Sequence, residues 1–274
     1  MELCNPTLCQ AAASKSSKKS GAPGAEWYQY ETNGIIPGGA GTGRLSLSVQ
    51  IEPDAYFVVQ KLTATFTGNF STQIQDTGSS QILMDNFVQQ ANLWGTAAQP
   101  NLLIDPLIFS PSSLVLFNLL NGIAGANTVQ LVVEGYKHYD LKNPPFIRAG
   151  NIARSMTGRL AWFQYTISPA AALAANSAPT FTIPIQADSY FLVRKLVSIQ
   201  TGIFSARFSD TSRNANWQRN YIRNGSLFGT VNFPNIMRKP RLLAPNTVVT
   251  VELQELSGAG NTVQLVLEGV KQYI

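Results

Sequence analysis

The same pattern is written twice in this chain. Asp54-Ala55-Tyr56-Phe57-Val58-Val59-Gln60-Lys61-Leu62 returns 134 positions later as Asp188-Ser189-Tyr190-Phe191-Leu192-Val193-Arg194-Lys195-Leu196. At the same spacing Gly68-Asn69-Phe70-Ser71 meets Gly202-Ile203-Phe204-Ser205, and Leu93-Trp94-Gly95-Thr96 meets Leu227-Phe228-Gly229-Thr230. Pro100, Pro106 and Pro111 fall on Pro234, Pro240 and Pro245. From Asp54 to Tyr139 no gap is needed, and roughly 30 of about 86 positions are identical. Upstream, Trp27-Tyr28-Gln29-Tyr30 matches Trp162-Phe163-Gln164-Tyr165 with one residue more in between. A unit of about 113 residues is a whole domain, too long for a stacked solenoid repeat. The fold must be one that the chain uses twice.

The duplication sets the expected organisation. Residues 1–25 read as an extended arm of small residues carrying Lys15, Lys18 and Lys19, with no periodicity and no core-forming face. Residues 26–139 form the first unit and 161–274 the second, joined over 140–160 by a basic linker with Asn143-Pro144-Pro145, Arg148, Arg154 and Arg159. Within the units the period is two. Leu45, Leu47, Val49 and Ile51 alternate with Ser46, Ser48 and Gln50, and Val129, Leu131 and Val133 with Thr128, Gln130 and Val132, a row repeated by Val263, Leu265 and Leu267. The run Tyr56 to Phe66 changes its apolar face partway, which predicts a bulge. Met84 to Leu93 is the one stretch that reads as a short helix.

Many short strands, turn residues between them and no helical period describe an all-β fold of two tandem antiparallel sandwiches. A missing Cys-Trp-Cys set removes the antibody type. Pattern alone does not separate jelly-roll from immunoglobulin-like strand orders; a jelly roll is favoured because the long strand after Asp54 and the terminal strand after Asn127 could pair across a sandwich.

Several functions lack their residues. No apolar run approaches the roughly 18–20 residues of a membrane helix, and Met1-Glu2-Leu3-Cys4-Asn5-Pro6 does not read as a secretory signal. Cys4 and Cys9 are the only cysteines and His138 the only histidine, which argues against a zinc site and leaves the redox state of the two thiols open. Gly38-Gly39-Ala40-Gly41-Thr42-Gly43-Arg44 lacks the ending of a phosphate loop, follows no convincing strand and reads as a flexible entry to the first sandwich. His138 is replaced by Gln272, so no duplicated base stands ready for a nucleophile. Asp76-Thr77 and Asp210-Thr211 read as turns that cap their own backbone. Glu134 and Glu268 read as structural, paired with Lys137 and Lys271. Neither catalytic residues, a cofactor nor a metal is expected. Asn69-Phe70-Ser71 and Asn224-Gly225-Ser226 fit a glycosylation pattern by accident.

Charge separates the copies. Only 13% of the residues are charged, against about 25% in an ordinary soluble domain. A neutral polar surface suits contact with other protein. Residues 41–139 hold three basic against six acidic side chains, whereas 161–274 hold ten against five. The excess sits in Arg207, Arg213, Arg219, Arg223, Arg238, Lys239 and Arg241, interleaved with Trp217, Tyr221, Phe228 and Phe233. Arginines among aromatics serve a protein interface or nucleic acid, or simply a solvated surface. Trp94, Trp162 and Trp217 would be the platforms of a glycan-binding module, although Trp94 aligns with Phe228 and reads as core.

Asp188 to Leu196, Leu242-Leu243-Ala244-Pro245-Asn246-Thr247 and Asn261 to Gly269, each with its first-unit copy, resemble segments of bacteriophage virion structural proteins built on β-sandwich or jelly-roll units. The resemblance covers both units and is one of style, with no ligand or catalytic motif. It implies a minor capsid, cement or collar protein in the virion, present in many copies, self-associating and inserting its arm between neighbours. Other virion proteins are its partners, nucleic acid a secondary one, and no membrane is implied. Tandem sandwiches also resemble double jelly-roll capsomer proteins, whose halves have usually diverged further.

Overall fold

Alternating burial builds the first unit from nine strands and one helical turn. In chain order these are β1 (Glu26–Ile36), β2 (Arg44–Gln50), β3 (Tyr56–Phe66), β4 (Phe70–Asp76), β5 (Gln81–Ile82), β6 (Val88–Gln89), α1 (Gln90–Leu93), β7 (Asn101–Phe109), β8 (Leu114–Asn121) and β9 (Asn127–His138). The second unit repeats them as β10 (Leu160–Ile167), β11 (Thr180–Pro184), β12 (Ser189–Gln200), β13 (Phe204–Asp210), β14 (Ala215–Asn216), β15 (Ile222–Arg223), α2 (Asn224–Leu227), β16 (Asn235–Leu243), β17 (Val248–Glu255) and β18 (Val263–Tyr273). This computed structural model describes residues 25–145, 159–211 and 215–274. Lys15, Lys18 and Lys19 of the arm, Arg148 and Arg154 of the linker, and Arg213 lie outside the described residues.

Strand order decides between the sandwich types. One sheet of the first unit runs β1-β9-β3-β7 and the other β2-β8-β4-β5, with β6 also on β4. The chain thus changes sheet at every connection except those among β4, β5 and β6. Such wrapping is a jelly roll, since hairpins would keep successive strands in one sheet. The second unit has the same orders, β10-β18-β12-β16 and β11-β17-β13-β14, with β15 on β13. The expected pairing of the strand after Asp54 with the terminal strand is present as β3 on β9. Phe57, Phe70, Phe109 and Phe117 fill the space between the first pair of sheets, and Phe191, Phe204 and Phe208 the second. Fully burying one such side chain stabilises by about 1.5–3 kcal/mol.

The bulge is where the apolar face changes. Pairing of β3 with β9 slips between Val59 and Lys61, and that of β12 with β18 between Val193 and Lys195. Opposite each slip stands a glycine, Gly135 or Gly269, paired with Val59 or Val193. A Cβ on either would overlap the carbonyl oxygen of Val58 or Leu192. We expect Gly269→Ala to force the strands apart and cost about 1–3 kcal/mol or more. A fall in the urea midpoint at unchanged slope would show it; an unchanged midpoint would mean that the bulge yields.

Four local expectations change. The helix predicted over Met84 to Leu93 shrinks to Gln90–Leu93, because Val88 and Gln89 are drawn into pairing with β4. The glycine-rich segment 38–44 does follow a strand: β1 alternates half-buried with exposed residues up to Ile36. It is also pinned, with Gly39 N–H donating to Ala124 O and Gly41 N–H to Asn121 O. Glu134 and Glu268 pair as foreseen, but with other lysines. Three positions along a strand puts two side chains on opposite faces, so Glu134 meets its cross-strand neighbour Lys61 at 2.6 Å and Glu268 meets Lys195 at 3.0 Å. Lys137 bonds Glu52 instead. Lys271 bonds Gln186 and lies 3.5 Å from the centre of the Phe163 ring, where burial pulls its ammonium down to about 8. The turn at Asp76 is as read: its carboxylate accepts from Gly78 N–H and Ser79 Oγ.

Candidate assembly interface

The two jelly rolls are joined by a contact that uses a different patch of each. The first unit offers an edge formed by residues 83–93, including β6 and α1, together with the start of β7. The second offers the outer face of β10, β18 and β12. Backbone pairing starts the contact: Asp85 N–H donates to Gln164 O and Gln164 N–H to Leu83 O, both at 3.1 Å. Asp85 Oδ1 accepts from Thr166 N–H at 2.9 Å. Gln264 then acts as a clasp. Its Oε1 accepts from Gln89 N–H at 2.8 Å and Asn92 Nδ2 at 3.1 Å, and its Nε2 donates to Phe87 O.

Apolar and ionic groups complete it. Trp162, Val197 and Val266 of the second unit join the same buried cluster as Met84, Val88 and Leu93 of the first. At its centre Lys195, fully buried, donates to Glu268 and, at 3.2 Å, to Asn101 Oδ1 of β7. Gln164 Nε2 donates to the same carboxylate. Removing two charges from water costs several kcal/mol each. The dense set of partners, more than the pair itself, makes the arrangement tolerable and fixes how the two units register.

Arg194 stands 3.6 Å from the buried Asp105. Burial pushes the Asp105 carboxyl up to about 6, outweighing the pull of Arg194. A carboxyl raised on folding favours the fold most at low pH. That advantage is lost as pH rises from the unfolded value near 4 through about 6. We expect the stability of the natural chain relative to Asp105→Asn to fall across pH 4–6 and level off above. Urea midpoints measured in parallel at each pH check this; a flat difference would refute it.

The arginine-rich segment gathers at the corresponding edge of the second unit, but its members do unlike things. Arg207 makes two bonds to Glu252, at 2.9 and 2.7 Å, and sits over the Tyr221 ring. Tyr221 and then Arg207 hold Glu252 below the usual carboxylate range. Arg241 lies over Trp217, which is itself stacked on Phe208 at 4.9 Å. These two arginines support the fold. Arg219, Arg223, Arg238 and Lys239 are exposed. Trp94 and Trp162 are buried and Trp217 is packed between Phe208 and Arg241, so the three tryptophans named from sequence form no open platform for a sugar. Among the described residues no group of His, Cys, Asp and Glu could hold a metal ion, and no helix is long and apolar enough to cross a membrane.

Sequence reasoning missed the clasp and the ionic centre. A signal was available: Gln264, Lys195 and Glu268 recur as Gln130, Lys61 and Glu134 in mid-strand, where polar residues need a reason.

No protein-family model and no curated protein matches the sequence. Solved structures do resemble it in shape. The STIV MCP is similar at 9% identity and a TM-score of 0.48, covering 89% of this chain and 96% of that one. The major capsid protein P2 from bacteriophage PM2 is similar at 7% identity and a TM-score of 0.43, covering 90% and 98%. The PBSX exported protein XepA follows at 13% identity and a TM-score of 0.27, covering 89% and 86%. The jelly-roll assignment rests on the strand order.

Proposed function

We propose that this chain is a virion structural protein, a repeated building block of a protein shell that works by assembly and catalyses no reaction. The observation that carries this is the contact between its two halves. An edge of one unit lies on a sheet face of the other, so the contact joins unlike patches and, among the described residues, leaves one edge and one face uncovered. Contacts of that kind propagate head to tail, closing into rings or running on as filaments. The sparse charge agrees, because burying neutral polar surface avoids the cost of desolvating ions.

A shell-forming capsomer fits this better than a cement or collar protein. Two jelly rolls locked side by side through a shared buried cluster make one rigid tile. Copies of the chain are then its first partners and other virion proteins its second. Protein composition and cryo-electron microscopy of particles from the native source test the reading. A shell tiled by this chain is the expected result. A few copies at a vertex or neck would replace the capsomer reading by the cement or collar one, and absence from the particles would overturn the virion role.

A further inference from the structure

We propose that a second copy of this chain docks its Trp217–Lys239 edge on the outer face of β1, β9 and β3 of the first, repeating between chains the register that joins the two units within one. The proposal rests on the assembly reading above and names its surface.

Duplication makes the two partners of this contact visible in a single chain. Trp27 occupies in β1 the place of Trp162 in β10, since Trp27 pairs with Tyr136 and Trp162 with the equivalent Val270. Trp162 is covered by the first unit and 2% exposed; Trp27, against which no described part of the second unit packs, is 54% exposed. Gln130 and Lys61 hold the places of the clasp Gln264 and the ionic Lys195, and the Lys61–Glu134 pair is already formed. On the opposite side, the edge that would cover them ends in Phe233, 73% exposed.

The edge positions have reversed their charge, and the face has lost one basic residue and gained one acidic one. Within the chain the edge brings Asp85 to Thr166 and Asp105 to Arg194. The corresponding places in the second edge are Arg219 and Lys239, and in the first face Glu31 and Gln60. An acidic edge on a basic face has become a basic edge on an acidic one. Each edge therefore suits the face it is meant for, while a basic edge on the Arg194 face would set like charges together. Specificity of this sort needs a repulsive element as well as an attractive one. Arg219 falls opposite Glu31, and Asn235 reaches Lys61 as Asn101 reaches Lys195.

Sedimentation velocity on the purified full chain across concentration and salt tests the surface, with circular dichroism to confirm folding. The natural chain is expected to associate, less so at high salt. Arg219→Glu and Glu31→Arg, each exposed in the free chain, are each expected to weaken association by about tenfold or more, and the two together to restore it to within about threefold. A natural chain that stays monomeric at all concentrations, singles that associate normally, or a double variant without rescue would each overturn the proposal. If particles contain the chain but the singles still enter them, the surface is wrong and the virion role stands. If the swap behaves as expected but no particle contains the chain, the surface stands and the virion role falls.

Discussion

Lys195→Met is expected to lower the free energy of unfolding by about 3–5 kcal/mol, because it leaves a buried carboxylate without its counter-ion. Glu268 is 2% exposed and would keep only Gln164 Nε2 as a partner. The pair sits where β12 of one unit meets β7 of the other, so the loss should appear as weaker docking as well as lower stability. Adding Glu268→Leu tests the cause. A buried pair replaced whole by apolar groups is often neutral or stabilising by about 1–4 kcal/mol, so the double variant should recover part of the loss. What remains are Asn101 Oδ1 and Gln164 Nε2, each orphaned at a cost of about 1–3 kcal/mol. Urea unfolding of the two single variants and the double gives the coupling directly. A single-variant loss below about 1 kcal/mol would show that water reaches the site and that the pair does not organise it.

The second large effect separates two identical residues. Trp162→Ala should cost about 3–5 kcal/mol, the range for emptying a buried indole site. It should also split a single unfolding transition into two, one for each jelly roll. Trp27→Ala, the same change in the same strand of the first unit, should alter the free chain by no more than about 0.5 kcal/mol. Calorimetry on both variants distinguishes them, and comparable losses would mean that Trp27 is packed within its own unit. Among the described residues Trp162 Nε1 has no hydrogen-bond partner, so Trp162→Phe should be milder than the alanine variant.

That contrast shows where local reading stops. Alternation at period two, the face change at Gln60 and the turn at Asp76 are consequences of near neighbours along the chain, and they were legible there. The strand order was legible in part, because the two longest apolar strands had few other partners. The jelly-roll wrap then follows from which sheet each connection enters. The apolar pattern over 84–93 predicts a helix, but pairing of β6 with β4 leaves only its last turn helical. Spacing along the strand points Glu134 and Glu268 to Lys137 and Lys271, whereas the sheet joins them across strands to Lys61 and Lys195.

Of the arginines singled out by composition, Arg207 and Arg241 are turned to Glu252 and Trp217; only the fold could divide them from the exposed Arg219 and Arg223. Residue order alone determined that the chain is β-structured, doubled and uneven in charge, because periodicity and repetition are properties of sequence. Tertiary structure decided that Gln264, Lys195 and Trp162 hold the two halves together while their copies lie in a face left open among the described residues. Burial by a distant segment is a fact of geometry, and two copies of one pattern can have opposite fates under it.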